Sequence, residues 1–384
     1  MADYYPRPID AANKNVPGLA NVTDSDPLLG SSSVPTVPQI TTTFQTPNEK
    51  PTVMEPFPFK KEFIEPEKLW NNLITSCKAE FKVIQFKSKP WSNIPNKFRW
   101  EFLGNPTVIL SEKQAYFDYD ILVDYFSEEA RLTARVNGCD SPLDFYKKNY
   151  DQVYQKALEL EKEWKDKSFR YFLRDAVYLL TKECTSFKIG VSKLICEFFK
   201  ATHVLDPSSG WGDRMLGAAA AGVTVYHGVD PNPALTNSYE KIIDFVSSQK
   251  PQNTLGPIRQ RFNVLTNDFL KTNISPNSYN LVFTSPPFWN WEIYTEAPGQ
   301  SILGKTTVKE WTQGFLHPYL KKAWEALIPG GYLVLYISDV KTGRYVEDMI
   351  TYVNSFRGKF LGVIGLVGDP ATMSYAYPIW CWQK

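Results

Sequence analysis

From residue 202 onward, short apolar runs alternate with stretches of helical period. Residues 202–205, 223–229, 262–266, 279–283 and 332–337 are runs of this kind and predict strands. Strands that are apolar on both sides need cover on both faces. Residues 215–221, 235–247 and 311–327 carry apolar positions at three- and four-residue steps and predict the intervening helices. Alternating strands and helices pack as a parallel, doubly wound sheet, so the fold class is α/β. The last two runs, 360–367 and 379–382, have only a turn through Gly368-Asp369-Pro370 between them. They predict an antiparallel hairpin at the end of the sheet.

Upstream the pattern differs. Over 146–201, Val153, Ala157, Leu158, Leu160 and Trp164, then Phe172, Ala176, Leu179 and Leu180, follow helical spacing. Residues 59–145 are mixed and aromatic-rich. Between 59 and 100 there are nine Lys or Arg and four Glu, a local excess of +5, interleaved with Trp70, Phe81, Phe86, Trp91, Phe98 and Trp100. Cations beside rings suit nucleic acid, through phosphate contacts and base stacking. The same pattern also describes an ordinary core with a solvated basic face. Residues 1–58 hold ten of the 28 prolines, show no periodicity, and read as a disordered tail or an anchor for a partner protein. The expected organisation is therefore a tail (1–58), a mixed accessory or recognition region (59–145), a helical region (146–201) and an α/β domain (202–384).

Composition narrows the class. The 384 residues carry 42 Lys+Arg and 41 Asp+Glu, hence +1, and are 43% hydrophobic. That excludes a wholly disordered chain and a histone-like polycation. No apolar run approaches about 18 residues and no leader pattern opens the chain, so a soluble, intracellular protein with no membrane contact is expected. Cys77, Cys139, Cys184, Cys196 and Cys381 stand singly, which argues for reduced thiols and against a zinc site. His203, His227 and His317 are isolated and read as structural, so no metal is expected.

Candidate chemistry begins at Asp206-Pro207-Ser208-Ser209-Gly210-Trp211-Gly212-Asp213-Arg214, an acid at a strand end followed by a two-glycine loop and a helix. Glycines let backbone approach a ligand, and Asp213 is placed to cap the helix. After Gly212 the next glycine is Gly217, which disfavours a dinucleotide loop, and there is no P-loop pattern. Asp230 ends the second strand 24 residues after Asp206, at the spacing of a ribose-binding acid. Asn267-Asp268-Phe269 ends the third and offers polar groups and a ring to adenine. An acid for an amino-acid end, an acid for ribose and an adenine pair together describe S-adenosyl-L-methionine. The plain alternative is three unrelated turn aspartates. The fourth strand runs into Thr284-Ser285-Pro286-Pro287-Phe288, where two prolines end the ladder and fix φ. The Ser285 hydroxyl and the Pro286 carbonyl then become two fixed acceptors for an exocyclic NH₂, with Phe288 to stack on its ring.

Taken together, these segments resemble the class I S-adenosyl-L-methionine-dependent amino-methyltransferases of adenine N6 or cytosine N4. Ala326-Leu327-Ile328-Pro329-Gly330-Gly331 before a strand, and the terminal hairpin, add to the likeness. So does Cys184-Thr185-Ser186-Phe187-Lys188, which is similar to that family's N-terminal cofactor-contacting motif. The resemblance covers about residues 170–384 and is nearest to predicted DNA methylases of phages and large DNA viruses. It implies a Rossmann-like methyltransferase sheet and catalytic roles for Ser285, Pro286, Pro287 and Phe288. It also implies cofactor contacts at Phe187, Lys188, Asp206, Ser208, Gly210, Gly212, Asp230, Asn232, Asp268, Phe269 and Thr284.

Such a protein acts on nucleic acid, with DNA expected ahead of RNA and the base flipped out of a duplex. Only 78 residues separate Asp206 from Thr284, so target recognition falls to residues 59–185 or to the loop 289–304. There Trp289, Trp291 and Tyr294 either line the base cleft or pack in the core. No cysteine follows a proline, which excludes a cytosine-C5 nucleophile of the Pro-Cys type. Three further readings stay open: a cap-adenosine RNA methyltransferase, a protein-amide methyltransferase, and an inactive structural or packaging module of the same fold.

Overall fold

The strands alternate their side chains between two separate cores. Val204, Leu281, Phe283, Val334, Ile379 and Cys381 enter one. Leu205, Val282, Leu333, Leu335, Trp380 and Trp382 enter the other. A strand that feeds both cores has no polar side to show, which is why these segments read as unbroken apolar runs.

A computed structural model of the chain describes residues 53–77, 80–83, 101–110, 119–136, 138–164, 167–249, 261–294, 298–367 and 376–384. Residues 1–52 of the expected tail, Phe86, Trp91, Phe98 and Trp100, and the Gly368-Asp369-Pro370 turn lie outside them. The chain divides into Met1–Pro56 and Phe57–Lys384, and all that follows belongs to the second unit.

Its main elements, in chain order, begin with α1 (Pro66–Ser76), β1 (Glu80–Val83), β2 (Glu101–Phe102), β3 (Asn105–Leu110), α2 (Leu122–Arg131) and β4 (Arg135–Val136). Four helices follow: α3 (Pro142–Lys148), α4 (Tyr150–Glu163), α5 (Phe169–Leu180) and α6 (Ile189–Phe198). Then come β5 (His203–Asp206), α7 (Asp213–Ala220), β6 (Val225–Asp230), α8 (Thr236–Ser248), β7 (Phe262–Thr266), β8 (Tyr279–Thr284) and β9 (Glu292–Ile293). The chain ends with α9 (Val308–Trp311), α10 (His317–Ala326), β10 (Leu327–Tyr336), α11 (Val346–Asn354), β11 (Lys359–Val367) and β12 (Ala376–Gln383).

One sheet runs β1-β3-β2-β11-β12-β10-β8-β5-β6-β7. Strands β7, β6, β5, β8 and β10 are mutually parallel, while β12 is antiparallel to both β10 and β11. This is the expected doubly wound α/β sheet with a terminal antiparallel hairpin. The chain winds from β5 outward to β7, then returns to the other side of β5 at β8, so the topological switch point lies between β5 and β8. In open α/β sheets that crevice, at the carboxyl ends of the strands, is where ligands bind.

Helices α1, α2, α6, α7 and α8 cover one face, and α10 and α11 cover the other. A third core joins α3, α4 and α5 through Tyr146, Tyr150, Val153, Ala157, Phe172, Leu173, Ala176 and Val177. Residues 101–110 extend the same sheet, with β3 parallel to β11. Trp70 is buried edge-on to Phe245 of α8, and so serves as packing rather than as a stacking platform.

Three local features depart from the sequence pattern. The helix expected over 311–327 starts at Val308, and residues Thr312–Leu316 form a π turn. Pro318 explains the widening, because it lacks an N–H and its ring crowds the carbonyl of residue 314. Strand β10 starts five residues before the expected 332, with a register shift over Pro329-Gly330-Gly331 and Gly330 at φ 80°. Helix α11 occupies a stretch for which no element was predicted, although Val346, Met349, Ile350 and Val353 form an i, i+3, i+4, i+7 stripe.

Close helix packing holds the first loop in place. A Cβ on Gly217 of α7 would stand 2.3 Å from Ser192 Cβ and 2.8 Å from the Ile189 carbonyl and Lys193 nitrogen of α6. Gly217→Val is therefore expected to destabilise the fold by about 1–3 kcal/mol. Urea unfolding checks this, and an unchanged midpoint would contradict it.

Candidate active site

Strand β5 delivers Asp206 into the crevice fully buried, and a buried carboxylate needs a partner. Arg214, the second residue of α7, supplies it: Nε donates to Asp206 Oδ2 at 2.8 Å, and the Tyr226 hydroxyl donates to the same oxygen at 2.8 Å. Arg214 also faces Asp213 at 3.4 Å and donates to the Ser208 carbonyl. Burial opposes the charge on Arg214, but Asp206 and Asp213 more than offset it and hold the guanidinium pKa above its ordinary value. Burial also raises the pKa of Asp213. The cap expected of Asp213 is absent, because Gly212 takes the N-cap position at φ 96° and Asp213 is the first helical residue. Of the Asp206 carboxylate, only Oδ1 is left lightly used, accepting from the Ser208 amide at 3.4 Å.

The loop 208–212 is shaped from three sides. Gly210 (φ 56°) donates its N–H to Asp230 Oδ2 at 2.9 Å and accepts from the Tyr239 hydroxyl at 2.5 Å. A Cβ on Gly212 would stand 2.4 Å from Ile242 Cδ1 of α8, and the residue's φ of 96° is one that favours glycine. Asp230, at the end of β6, also accepts from the Asn232 amide at 3.0 Å. No Lys or Arg pairs with it among the described residues, and burial pushes its pKa up to about 6. The Asn232 side chain caps Ala234 at 3.1 Å and donates to the Tyr294 carbonyl at 3.5 Å.

Thr284 and Ser285 arrive at the same edge on β8. Thr284 is buried, with Oγ1 3.1 Å from the Tyr319 hydroxyl, and that same hydroxyl lies 2.8 Å from Ser208 Oγ. One phenol on α10 therefore ties the glycine loop of β5 to the diproline loop of β8 across the switch point. Pro286 is buried, while Ser285, Pro287 and Phe288 are partly exposed. Among the described residues the Ser285 hydroxyl has no hydrogen-bond partner. Beside it stands an aromatic wall. Phe187 meets Phe283 at 5.6 Å and Tyr336 at 4.9 Å, and Phe288 lies 6.0 Å from Tyr336.

Other predicted residues take supporting positions. The Phe269 ring is 4% exposed, set against Tyr319 at 5.1 Å and under the Lys322 ammonium at 5.1 Å. It lies in the core beneath α10 and offers no open face for an adenine. Asp268 accepts from the Leu270 amide at 2.9 Å and stands 3.5 Å from Lys271. Lys188 is the N-cap residue of α6. Trp289 is buried against Trp311 at 5.8 Å, so it packs in the core, whereas Trp291 and Tyr294 remain partly exposed. Among the described residues no group of His, Cys, Asp and Glu is placed to hold a metal.

The segment 183–190 is pinned at both ends by residues that no motif marked. Arg131 of α2 donates to the Cys184 carbonyl at 3.0 Å and pairs with Glu183 and, at 2.8 Å, with Asp124. Asp120 accepts from the Gly190 amide at 3.1 Å at the start of α6. Burial raises the Asp120 pKa to about 6. Trp211 Nε1 donates to the Thr185 carbonyl at 3.2 Å. Arg131, Asp120 and Tyr319 lie far along the chain from the glycine loop, and only their burial shows their part. Arg214 is the exception, since it follows the glycine loop directly.

No family model and no curated protein sequence matches the chain. Solved structures similar to it include M. jannaschii tRNA m1G37 methyltransferase, at 12% identity over 52% of this chain and 50% of that one, with a TM-score of 0.32. TrmN from Thermus thermophilus matches at 15% identity over 52% and 50%, with a TM-score of 0.34. A putative SAM-dependent methyltransferase from Streptococcus mutans matches at 12% identity over 53% and 50%, with a TM-score of 0.37. The chain thus spans half the length of each. Similarity at this level adds nothing to what the strand order establishes.

The Asp206–Arg214 pair sets the loop. Arg214→Met would leave Asp206 buried without its counter-ion and is expected to cost about 3–5 kcal/mol. Chemical denaturation measures the loss, and a variant as stable as the parent would refute the role of the pair.

Proposed function

We propose that the chain transfers the methyl group of S-adenosyl-L-methionine to an exocyclic amine of a nucleobase, adenine N6 or cytosine N4, in DNA ahead of RNA. The observation that carries the reading is the Ser285 hydroxyl. It is partly exposed, has no partner among the described residues, and is held by a diproline at the carboxyl end of β8. The Tyr319 link keeps it beside the glycine loop.

The residues present fit the cofactor. Among the described residues Asp230 has no paired cation, and it keeps acceptor capacity for ribose hydroxyls. Glycine at 210 and 212 leaves the loop without Cβ atoms there, and Asp206 Oδ1 meets the loop at the Ser208 amide. When bound, the sulfonium supplies an activated methyl group. The chain's own task is alignment, placing the acceptor nitrogen in line with that methyl group.

Ser285 Oγ and the Pro286 carbonyl accept the two N–H bonds of the amine. These bonds draw the nitrogen toward tetrahedral geometry and stabilise the positive charge that develops on it. Phe288 stacks on the base. A base inside a duplex reaches this depth only when flipped out.

Labelled S-adenosyl-L-methionine offered with DNA, RNA and protein tests the reading, with label expected in DNA as N6-methyladenine or N4-methylcytosine. Ser285→Ala should lower turnover by about 100-fold, by analogy with the loss of one preorganised polar contact. Its affinity for S-adenosyl-L-methionine should stay near that of the parent, and unchanged turnover would overturn the assignment.

A further inference from the structure

Asp206 is the acid at which the sequence places the amino-acid end of the cofactor, yet its charge is already met by Arg214 at 2.8 Å. A second carboxylate lies at the same edge. Glu292 follows Ser285 by seven residues, in β9, which pairs with β4 through Val136↔Glu292 and Arg135↔Ile293. Its carboxylate accepts from the Tyr294 hydroxyl and from the Thr185 backbone N–H. The Tyr294 ring lies edge-on to Trp211 at 5.8 Å, and its carbonyl accepts from Asn232 Nδ2 at 3.5 Å. Glu292 thus touches segment 184–188 directly, and its hydrogen-bond partner Tyr294 touches both the glycine loop and the end of β6. The Gln300 side chain donates to the Glu292 carbonyl at 3.1 Å and fixes the backbone there.

We propose that Glu292 is the carboxylate that meets the positive charge of S-adenosyl-L-methionine, an inference that rests on the cofactor reading above. Glu292 is partly buried, and among the described residues no Lys or Arg forms an ion pair with it. Its charged and titratable neighbours are few. Arg131, from α2, acts on it at long range but is committed to Asp124, Glu183 and the Cys184 carbonyl. Cys184 faces it from the pinned segment, Tyr294 from its own loop, and Arg135 lies on the paired strand. Burial pushes the Glu292 pKa up to about 7, while Tyr294 and Thr185 pull the other way. An anion held partly out of water without a counter-ion is unfavourable until a cation arrives. A sulfonium or an ammonium supplies one.

The sign of the pH effect follows. Glu292 is ionised above about pH 7 and protonated below it, so cofactor affinity rises with pH through that value. Calorimetry on the full chain at pH 6.0 and 7.5 keeps most of an α-ammonium charged, because its pKa is about 7.7–8.0. Over this range Glu292 should contribute about an eightfold gain in affinity, and Asp230 about twofold. Glu292→Gln removes the charge and keeps one oxygen to accept from Tyr294 or Thr185, and its melting curve checks that the variant is folded. It should lose the eightfold pH dependence and bind S-adenosyl-L-methionine about tenfold more weakly at pH 7.5.

S-adenosylhomocysteine, which keeps the ammonium but not the sulfonium, locates the contact. Equal weakening of both ligands places it at the ammonium, and weakening of S-adenosyl-L-methionine alone places it at sulfur. Glu292→Gln binding with parental affinity and pH profile overturns the inference while leaving the cofactor reading intact. A parent chain that binds neither ligand at either pH overturns the cofactor reading itself.

Discussion

A guanidinium buried at the end of β5 sets the geometry of the carboxyl edge. Arg214, itself buried, faces two buried carboxylates and a loop carbonyl. Without it, Asp206 would have to take up a proton or turn outward, and the loop 208–212 would lose its inner support. With it, the loop is fixed from within, and Gly210 and Gly212 are free to shape its outer surface. The arrangement spends most of one acid on architecture. The second acid, Asp230, is spent less, because it takes two backbone N–H bonds and no cation.

Much of this was legible in the chain. The parallel, doubly wound sheet, the terminal hairpin and the arrival of Asp206, Asp230 and Thr284 at strand ends all follow from apolar runs alternating with helical stretches. The proline pair at 286–287 announced a rigid turn. What could not be read is contact between distant segments. Tyr319 has no motif around it, and the π turn ahead of Pro318 shifts the helical phase on which such a reading depends. Asp120 and Arg131 look like ordinary surface charges in sequence, and only folding shows them buried against residues 184 and 190. Phe269 was placed on a ligand because it follows Asp268. Its ring instead turns inward, since the core beneath α10 offers it Tyr319 and Lys322.

The region before the α/β domain changes meaning in the same way. Its helices α3, α4 and α5 have their own core, yet α2 reaches across to hold the segment 183–190. The glycine loop touches that segment through Trp211 and Thr185. Support for the site thus comes from segments on either side of the glycine loop in sequence: α2 before it and β9 after it.

The alternation of side chains along β8 has one more consequence. Leu281 and Phe283 point to the α7 side, and Val282 points to the α10 side. Thr284 continues the parity of Val282 and so finds Tyr319, leaving Ser285 on the opposite phase. Removing a single residue from β8 would reverse this order and aim the serine into the protein, whereas removing two would restore its direction. The placement of one hydroxyl is thus a question of odd and even, decided several residues before the hydroxyl itself.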